Sequence, residues 1–298
     1  VKRLIVTADD FGLAPAVNEA VEQGHRRGIL SAASLMVAGP AAADAVARAK
    51  RLPKLGVGLH LVLVDGRPVL PAAEIPDLVG PDGRFPADPF RAGVKIFRSQ
   101  AARRQMEREM RAQLEAFRAT GLALDHVNAH HHFHVHPTVA DCLIRLAPEY
   151  GIKAVRVPYE RPVQSWRATG DRLASRLFAW LTQSHWARRL NRLLDRAGIS
   201  HNDCVLGLSD SGAMRKERVK NYIEHLSDGV SELYVHPATA HWAGDDSWPS
   251  HYQCAGEFEA LTDAGVAAAL KAQGLRSIPF AGLAPSAQPT KSFKGAAA

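Results

Sequence analysis

KRLIVTADDFGLAPAVNEAVEQGHRRGILSAASLMV, residues 2–37, decides the fold class. The apolar run Leu4 to Thr7 has strand character and feeds straight into Ala8-Asp9-Asp10-Phe11-Gly12. A helical pattern then fills Ala14 to Arg27, with Gly28 just past it as a C-terminal stop, before a second strand-like run at Ala33 to Val37. Strand, helix, strand is the repeat of a parallel β/α fold, and it continues outward along the chain. Further strand candidates are Val57–Leu63, Leu124–Asn128, Ala154–Val157, Val205–Leu208, Leu233–Val235 and Ser277–Phe280. Helical stretches lie between them at Ala41–Arg51, Ser99–Thr120, Thr138–Glu149, Met214–Leu226 and Glu257–Ala272, with Gly121, Gly151 and Gly274 as stops. Seven or eight mostly parallel strands predict a distorted, TIM-barrel-like (β/α) barrel, read as one domain over residues 1–283.

Two stretches break the rhythm. Gly66 to Phe90 carries six prolines and reads as a long loop after a strand, where a β/α barrel keeps its catalytic mouth; a lid is expected there. Arg161 to Gly198 holds eight arginines against Asp171 and Asp195, so this helical insertion carries about six of the seven excess positive charges. The tail 284–298, rich in Ala, Pro, Ser and Lys, is expected to be disordered.

Composition narrows the class further. With 46% hydrophobic and 22% charged residues over 298 positions, the chain is neither fibrous nor disordered. Three widely spaced cysteines without a CxxC argue against a disulfide scaffold and a zinc ribbon. No apolar run approaches the roughly 20 residues of a membrane span, and no signal peptide is visible, so a cytoplasmic protein is expected.

The chemistry concentrates at strand ends. Asp9 and Asp10 are adjacent carboxylates where the chain leaves the first strand, a crowding that is costly without a cation or a shared proton; a helix N-cap is the other use for such residues. Gly56-Val57-Gly58-Leu59-His60-Leu61 places one imidazole in an apolar strand, where a lone histidine is more often a hydrogen-bonded core residue than a ligand. From His126 to His136, six of eleven residues are histidine, and five of these six, with Asn128, fall on even positions, which an extended chain would put on one face. Clustered imidazoles desolvate badly and repel when protonated, so packing explains them poorly and a metal explains them well. Two histidines and one carboxylate suit a divalent transition ion that lowers the pKa of a water from 15.7 toward about 7. A second carboxylate beside the ligand would take that water's proton. His236, delivered by Ser231-Glu232-Leu233-Tyr234-Val235-His236, is placed to protonate a leaving amine. Arg156 is expected at a substrate oxygen, with His132 and His134 as further substrate contacts.

The set Thr7-Ala8-Asp9-Asp10-Phe11-Gly12, Gly58-Leu59-His60-Leu61, Asp65-Gly66-Arg67-Pro68 and the His-rich block resembles the YdjC-like carbohydrate deacetylases. The block His-Val-Asn-Ala-His-His-His-Phe-His-Val-His-Pro is most similar to the hopanoid biosynthesis-associated branch, HpnK. The resemblance implies Asp9 as general base, one divalent metal (zinc first; magnesium, manganese, cobalt or nickel as alternatives) on Asp10, His60 and His130, and an N-acetyl amino sugar as substrate. Within that family a glycolipid bearing N-acetylglucosamine and a soluble chitooligosaccharide are the two substrate expectations. The chain departs from the family at Asn128-Ala129-His130, where Asp-Ser-His is common, and at Ala238, where glycine follows His-Pro. A phosphoesterase would need a second metal and more carboxylates near the block than Asp125 and Asp141, so nucleic acid is not an expected partner. Arginines interleaved with Trp166, Phe178, Trp180, Leu181 and Trp186 suggest peripheral contact with an anionic membrane.

Overall fold

The computed structural model describes residues 1–242 and 248–283; the tail 284–298 lies outside the described residues. Six strands, β1 (Lys2–Phe11), β2 (Ala32–Leu35), β3 (Gly56–Leu61), β4 (Val127–Ala129), β5 (Cys204–Leu206) and β6 (Gly229–Val235), form one parallel sheet in the order β4-β3-β2-β1-β6-β5. Every residue of β2, β3, β4 and β5 is buried, as expected when helices cover a curled half-barrel from outside. The covering helices are α1 (Pro15–Arg27), α2 (Ala42–Ala49), α3 (Pro89–Arg98), α4 (Gln100–Ala119), α5 (Pro137–Tyr150), α6 (Pro162–Thr169), α7 (Leu173–Ala197), α8 (Lys216–Glu224), α9 (Cys254–Thr262) and α10 (Ala264–Ala272).

Local chemistry sets the helix ends. Ser99 caps α4 by accepting from the Ala102 N–H at 3.2 Å, and Asp88 does the same for α3 at Phe90. The stretch expected as one helix, Glu257–Ala272, is two: Asp263 leaves helical conformation and its carboxylate takes the Val266 N–H at 2.9 Å, starting α10 afresh.

Two expected strands do not form. Ala154–Val157 lies between β4 and the chain entering β5, touching them through the isolated bridges Val127↔Val155 and Ala154↔Ser200. The reason is Asn202, whose amide accepts the Val157 N–H and donates to the Val157 carbonyl, both at 2.8 Å, replacing a backbone ladder with one side chain. Ser277–Phe280 makes a single bridge to Leu4 and then turns at Pro279 into a short helical turn. The sheet therefore has six strands, where seven or eight were expected.

The proline-rich loop is held down along its length. Ile75, Leu78 and Phe85 are buried, Gly66 bridges Phe85, and the fully buried Glu109 of α4 accepts the Val69 and Leu70 N–H groups at 2.8 and 3.0 Å. The basic insertion is less solvated than its composition suggests. Arg176 is buried against Asp171 and Asp210, and Asp210 also receives Arg172, Arg218 and the Tyr222 hydroxyl.

Candidate active site and metal centre

On a regular strand, neighbouring side chains point to opposite faces of the sheet, so Asp9 and Asp10 should diverge. They do not, because the β1–β2 register shifts between Ala8 and Phe11 and Asp10 takes a left-handed backbone (φ 61°). Aspartate tolerates that conformation better than most residues. Gly12 (φ 97°) completes the exit, and its N–H is caught by the Asn18 side chain at 2.8 Å.

Both carboxylates consequently line one cavity of about 280 Å³, together with His60, His130, His132 and His236. Tyr234, Trp248 and Tyr252 form an aromatic wall, and Arg67 and Arg84 of the proline-rich loop also line the cavity.

Asp10, His60 and His130 converge. Asp10 Oδ1 lies 3.1 Å from His60 Nε2 and 3.2 Å from His130 Nδ1, and one ligand atom from each of the three lies within 4.8 Å of the others. Among the described residues, Asp10 Oδ1 and His60 Nε2 are buried polar atoms without a hydrogen-bond partner. His60 Nδ1 faces the Asn128 amide oxygen at 2.7 Å, and an amide oxygen only accepts, so Nδ1 carries a proton and, in the neutral ring, Nε2 presents a lone pair to a carboxylate. Two buried acceptors facing each other at that distance need a proton or a metal ion between them, and with His130 as the third group this donor set fits a divalent ion. The other oxygen of Asp10 accepts from Trp248 Nε1 at 2.8 Å. A second cluster, Asp65, His130 and His131, is exposed and already satisfied by an Asp65–His131 pair at 3.0 Å.

Asp9 is held differently. Arg156 donates to it through Nη1 (2.5 Å) and Nη2 (2.9 Å) while also donating to Glu232 Oε1 through Nε (3.0 Å) and Nη2 (2.7 Å). Burial alone would raise the Asp9 pKa; the Arg156 guanidinium, with His60 behind it, outweighs burial and holds it well below the usual carboxylate range. Arg156 has no exposed surface and does not line the cavity, so the expected contact with a substrate oxygen is replaced by a buried ion triad. Glu232 completes this triad, and its mark in the sequence is a lone carboxylate within the strand-like run Val230 to Val235.

The His block does not share one face. His131 (φ 52°) and His132 (φ 54°) are both left-handed, so the chain coils directly after β4 and the even-position register ends at His130. His132 still reaches the cavity, its ring 5.3 Å from Tyr234, and burial lowers its pKa. His134 turns inward instead: it is fully buried, Nε2 lies 2.8 Å from the Arg156 carbonyl, and burial pushes its pKa down to about 3. That position supports Arg156 and leaves no substrate contact.

His236 lines the cavity, its ring 5.3 to 5.6 Å from those of Tyr234, Trp248 and Tyr252, and burial lowers its pKa. Its backbone N–H donates at 2.5 Å to Glu257, whose own pKa burial pushes up to about 7. Trp248, Tyr252 and Ser34 had no signal in the sequence, since each contributes through tertiary position alone.

The family model described as YdjC-like protein matches residues 3–272. A carbohydrate deacetylase of Brevibacillus brevis is 36% identical over 237 residues, spanning 79% of this chain and 81% of the relative. A human carbohydrate deacetylase is 33% identical over 256 residues, spanning 83% of this chain and 76% of the relative. Among solved structures, a candidate cellobiose-phosphate cleavage protein of Enterococcus faecalis V583 superposes with a TM-score of 0.70 at 23% identity, over 94% of this chain and 97% of that one, a likeness of fold. From the match along nearly the whole described chain and the identity to these relatives, the chain belongs to the YdjC-like protein family.

Proposed function

We propose that the chain is a metal-dependent carbohydrate deacetylase that hydrolyses the N-acetyl group of an N-acetyl amino sugar. The observation that carries this reading is the pair of partnerless buried acceptors, Asp10 Oδ1 and His60 Nε2, beside an arginine-held carboxylate in a cavity walled by aromatic rings. The relatives named carbohydrate deacetylase give the reaction class. Asp10, His60 and His130 would hold the ion, zinc by preference for two imidazoles and one carboxylate. When bound, it would supply Lewis acidity at the acetyl carbonyl and a water made acidic near neutral pH.

The chain's own groups do the rest. Asp9 stays ionised and accepts the proton of the attacking water; Arg156 holds its two oxygens in place and does not touch the substrate. His236 is placed to donate to the departing amine nitrogen in its protonated form; burial lowers its pKa, so that form is the minority at neutral pH, and the proton is given up readily once the ring has taken it on. Tyr234, Trp248 and Tyr252 offer flat faces to a sugar ring. The test compares Asp9→Asn with Asp10→Asn for acetate release and metal content. Asp9→Asn is expected to keep its metal and lose about 10² to 10⁴ fold in turnover, whereas Asp10→Asn loses metal. Equal metal loss in both would reverse the assignment.

We further propose that the acetylated sugar is the headgroup of a membrane glycolipid, N-acetylglucosaminyl hopanoid being the reading the resemblance favours and a soluble chitooligosaccharide its alternative. Two exposed helical faces support it. On α7, Leu177, Phe178 (69% exposed) and Leu181 (67%) share a face with Arg188 and Arg192. On α3, Phe90 (79%), Val94 and Phe97 (57%) stand among Arg91, Lys95 and Arg98. No described helix is long and apolar enough to cross a membrane, so the contact would be peripheral, at the inner face.

A further inference from the structure

Beneath the cavity, a line of hydrogen bonds runs from the floor of the sheet to the proposed base and metal ligand. Asp125 Oδ2 lies 2.9 Å from His126 Nδ1; His126 Nε2 lies 3.0 Å from Ser34 Oγ; Asn128 Nδ2 donates to Ser34 Oγ at 2.8 Å and to Asp9 Oδ1 at 3.1 Å; His60 Nδ1 meets Asn128 Oδ1 at 2.7 Å. All six residues are buried.

Each proton in this line has one consistent position. Asp125 is a carboxylate anchored by the Ala281 and Phe280 N–H groups at 2.8 and 3.2 Å, so it accepts from His126 Nδ1–H. His126 Nε2 is then an acceptor and takes the Ser34 hydroxyl proton. Ser34 Oγ, its proton committed, accepts from the Asn128 amide, whose second N–H goes to the Asp9 carboxylate. Only the Asn128 oxygen is left for His60, which must carry a proton on Nδ1 and, as the neutral ring, exposes Nε2. Turning the Asn128 amide over would set its oxygen 3.1 Å from a carboxylate and put the His60 proton on the wrong nitrogen.

The backbone makes room for this line. A Cβ on Gly58 would stand 2.5 Å from His126 Cε1, and one on Gly56 would stand 2.6 Å from Asp125 Oδ2. Phe280 stacks on the His126 ring at 4.4 Å. Both small residues of Gly-Val-Gly are thus accounted for by the imidazole–carboxylate pair behind them.

We propose that Asp125, His126, Ser34 and Asn128 act as one set of positioning residues that fixes the tautomer of His60 and the orientation of Asp9, and so governs metal affinity from below the site. This rests on the metal reading above only for its affinity arm. In this chain an amide at position 128 does what a direct carboxylate on His60 could do alone, and the negative charge is moved back to Asp125.

The experiment has two arms. In the first, metal-free protein with isotope-labelled histidine is examined by NMR, His60 being assigned by a His60→Gln spectrum. The expected result is the Nδ1–H tautomer in the wild type, and a mixture of tautomers in Ser34→Ala and His126→Leu. In the second, zinc binding is measured by competition with a chelator: both variants should bind about 10 to 100 fold more weakly, with His126→Gln recovering part of the loss because its amide oxygen can still accept from Ser34. An Nε2–H tautomer in the wild type overturns the proposal whatever the variants do, as does wild-type zinc affinity in a folded Ser34→Ala, which removes a single oxygen. A correct tautomer with no zinc binding in any form would instead sink the metal reading and leave the hydrogen-bond order standing.

Discussion

Replacing Arg156 with methionine tests whether one guanidinium holds the Asp9–Glu232 pair together. The side chain has no exposed surface and makes four charge-assisted hydrogen bonds, two to each carboxylate, between 2.5 and 3.0 Å. Summing such bonds singly at about 1.5 to 3 kcal/mol would overshoot, because Thr7 Oγ1 still donates to Glu232 at 2.7 Å and Asn128 still donates to Asp9. Removing one partner of a buried ion pair costs about 3 to 5 kcal/mol, and two carboxylates left facing each other place this case near 4 kcal/mol. Urea unfolding at pH 7 measures it. The pH dependence is the sharper reading. In the wild type Asp9 is held below its unfolded pKa, so it contributes stability above the ordinary carboxylate range that is lost as pH falls. In the variant, burial without a cation raises it, the folded state then binds more protons than the unfolded one, and the deficit should shrink between pH 7 and pH 5. Arg156→Met with Glu232→Gln should recover part of the loss, since one buried charge is gone. A loss below about 1 kcal/mol, or a deficit that does not change with pH, would mean that this triad is not the electrostatic centre described here.

His134 gives a second pH signature: its folded pKa of about 3 lies far below the unfolded value, so it adds stability above pH 6.5 that is lost on acidification. Between pH 7 and 5 that loss is about 2 kcal/mol, and His134→Gln should abolish it in unfolding experiments at the two pH values; an unchanged slope refutes the assignment. Trp248→Phe removes the indole donor to Asp10 Oδ2 and should weaken zinc binding by about 10 fold or more without unfolding the chain, read by chelator competition. For the membrane reading, vesicles with anionic headgroups should retain the protein at low salt and release it as the Debye length falls from about 30 Å at 0.01 M to 10 Å at 0.1 M. Phe97→Ser with Phe178→Ser and Leu181→Ser should abolish that retention and leave deacetylation of a soluble sugar analogue intact; retention equal to wild type would show that neither face is an interface.

Much of this was legible in the sequence because parallel β/α folds write their strands as short apolar runs and put chemistry where those runs stop. Asp9, Asp10, His60 and His236 all stand at or beside such ends, and the structure brings them to one cavity. What the sequence could not carry was backbone direction. Even-position register would have put His126, His130, His132 and His134 together, but two left-handed residues at 131 and 132 send His134 inward, while His126 faces Ser34 in the floor. Left-handed conformation at a histidine has no sequence mark, unlike at the glycines that end α5 and α7. Arg156 misled for a related reason: a strand-end arginine looks like an oxyanion holder until its partners are known, and those partners, Asp9 and Glu232, are 147 and 76 residues away in the chain.

The same reasoning explains why the two adjacent aspartates can do different work. They share a strand end, a buried environment and a neighbourhood of imidazoles, so identity and burial do not separate them. Hydrogen-bond supply does. Asp9 receives two bonds from Arg156 and one from Asn128, all from groups that carry protons permanently. Asp10 receives one from Trp248 and faces two imidazole nitrogens, whose protons can be exchanged for a metal ion. A carboxylate surrounded by fixed donors keeps its charge without a metal, at some cost in basicity toward water; a carboxylate facing lone pairs is stable only when a proton or a metal ion is shared between them. Reversing the roles would require moving Arg156 from Asp9 to Asp10, whereas the left-handed backbone at Asp10 brings both carboxylates to one cavity, each with its own partners.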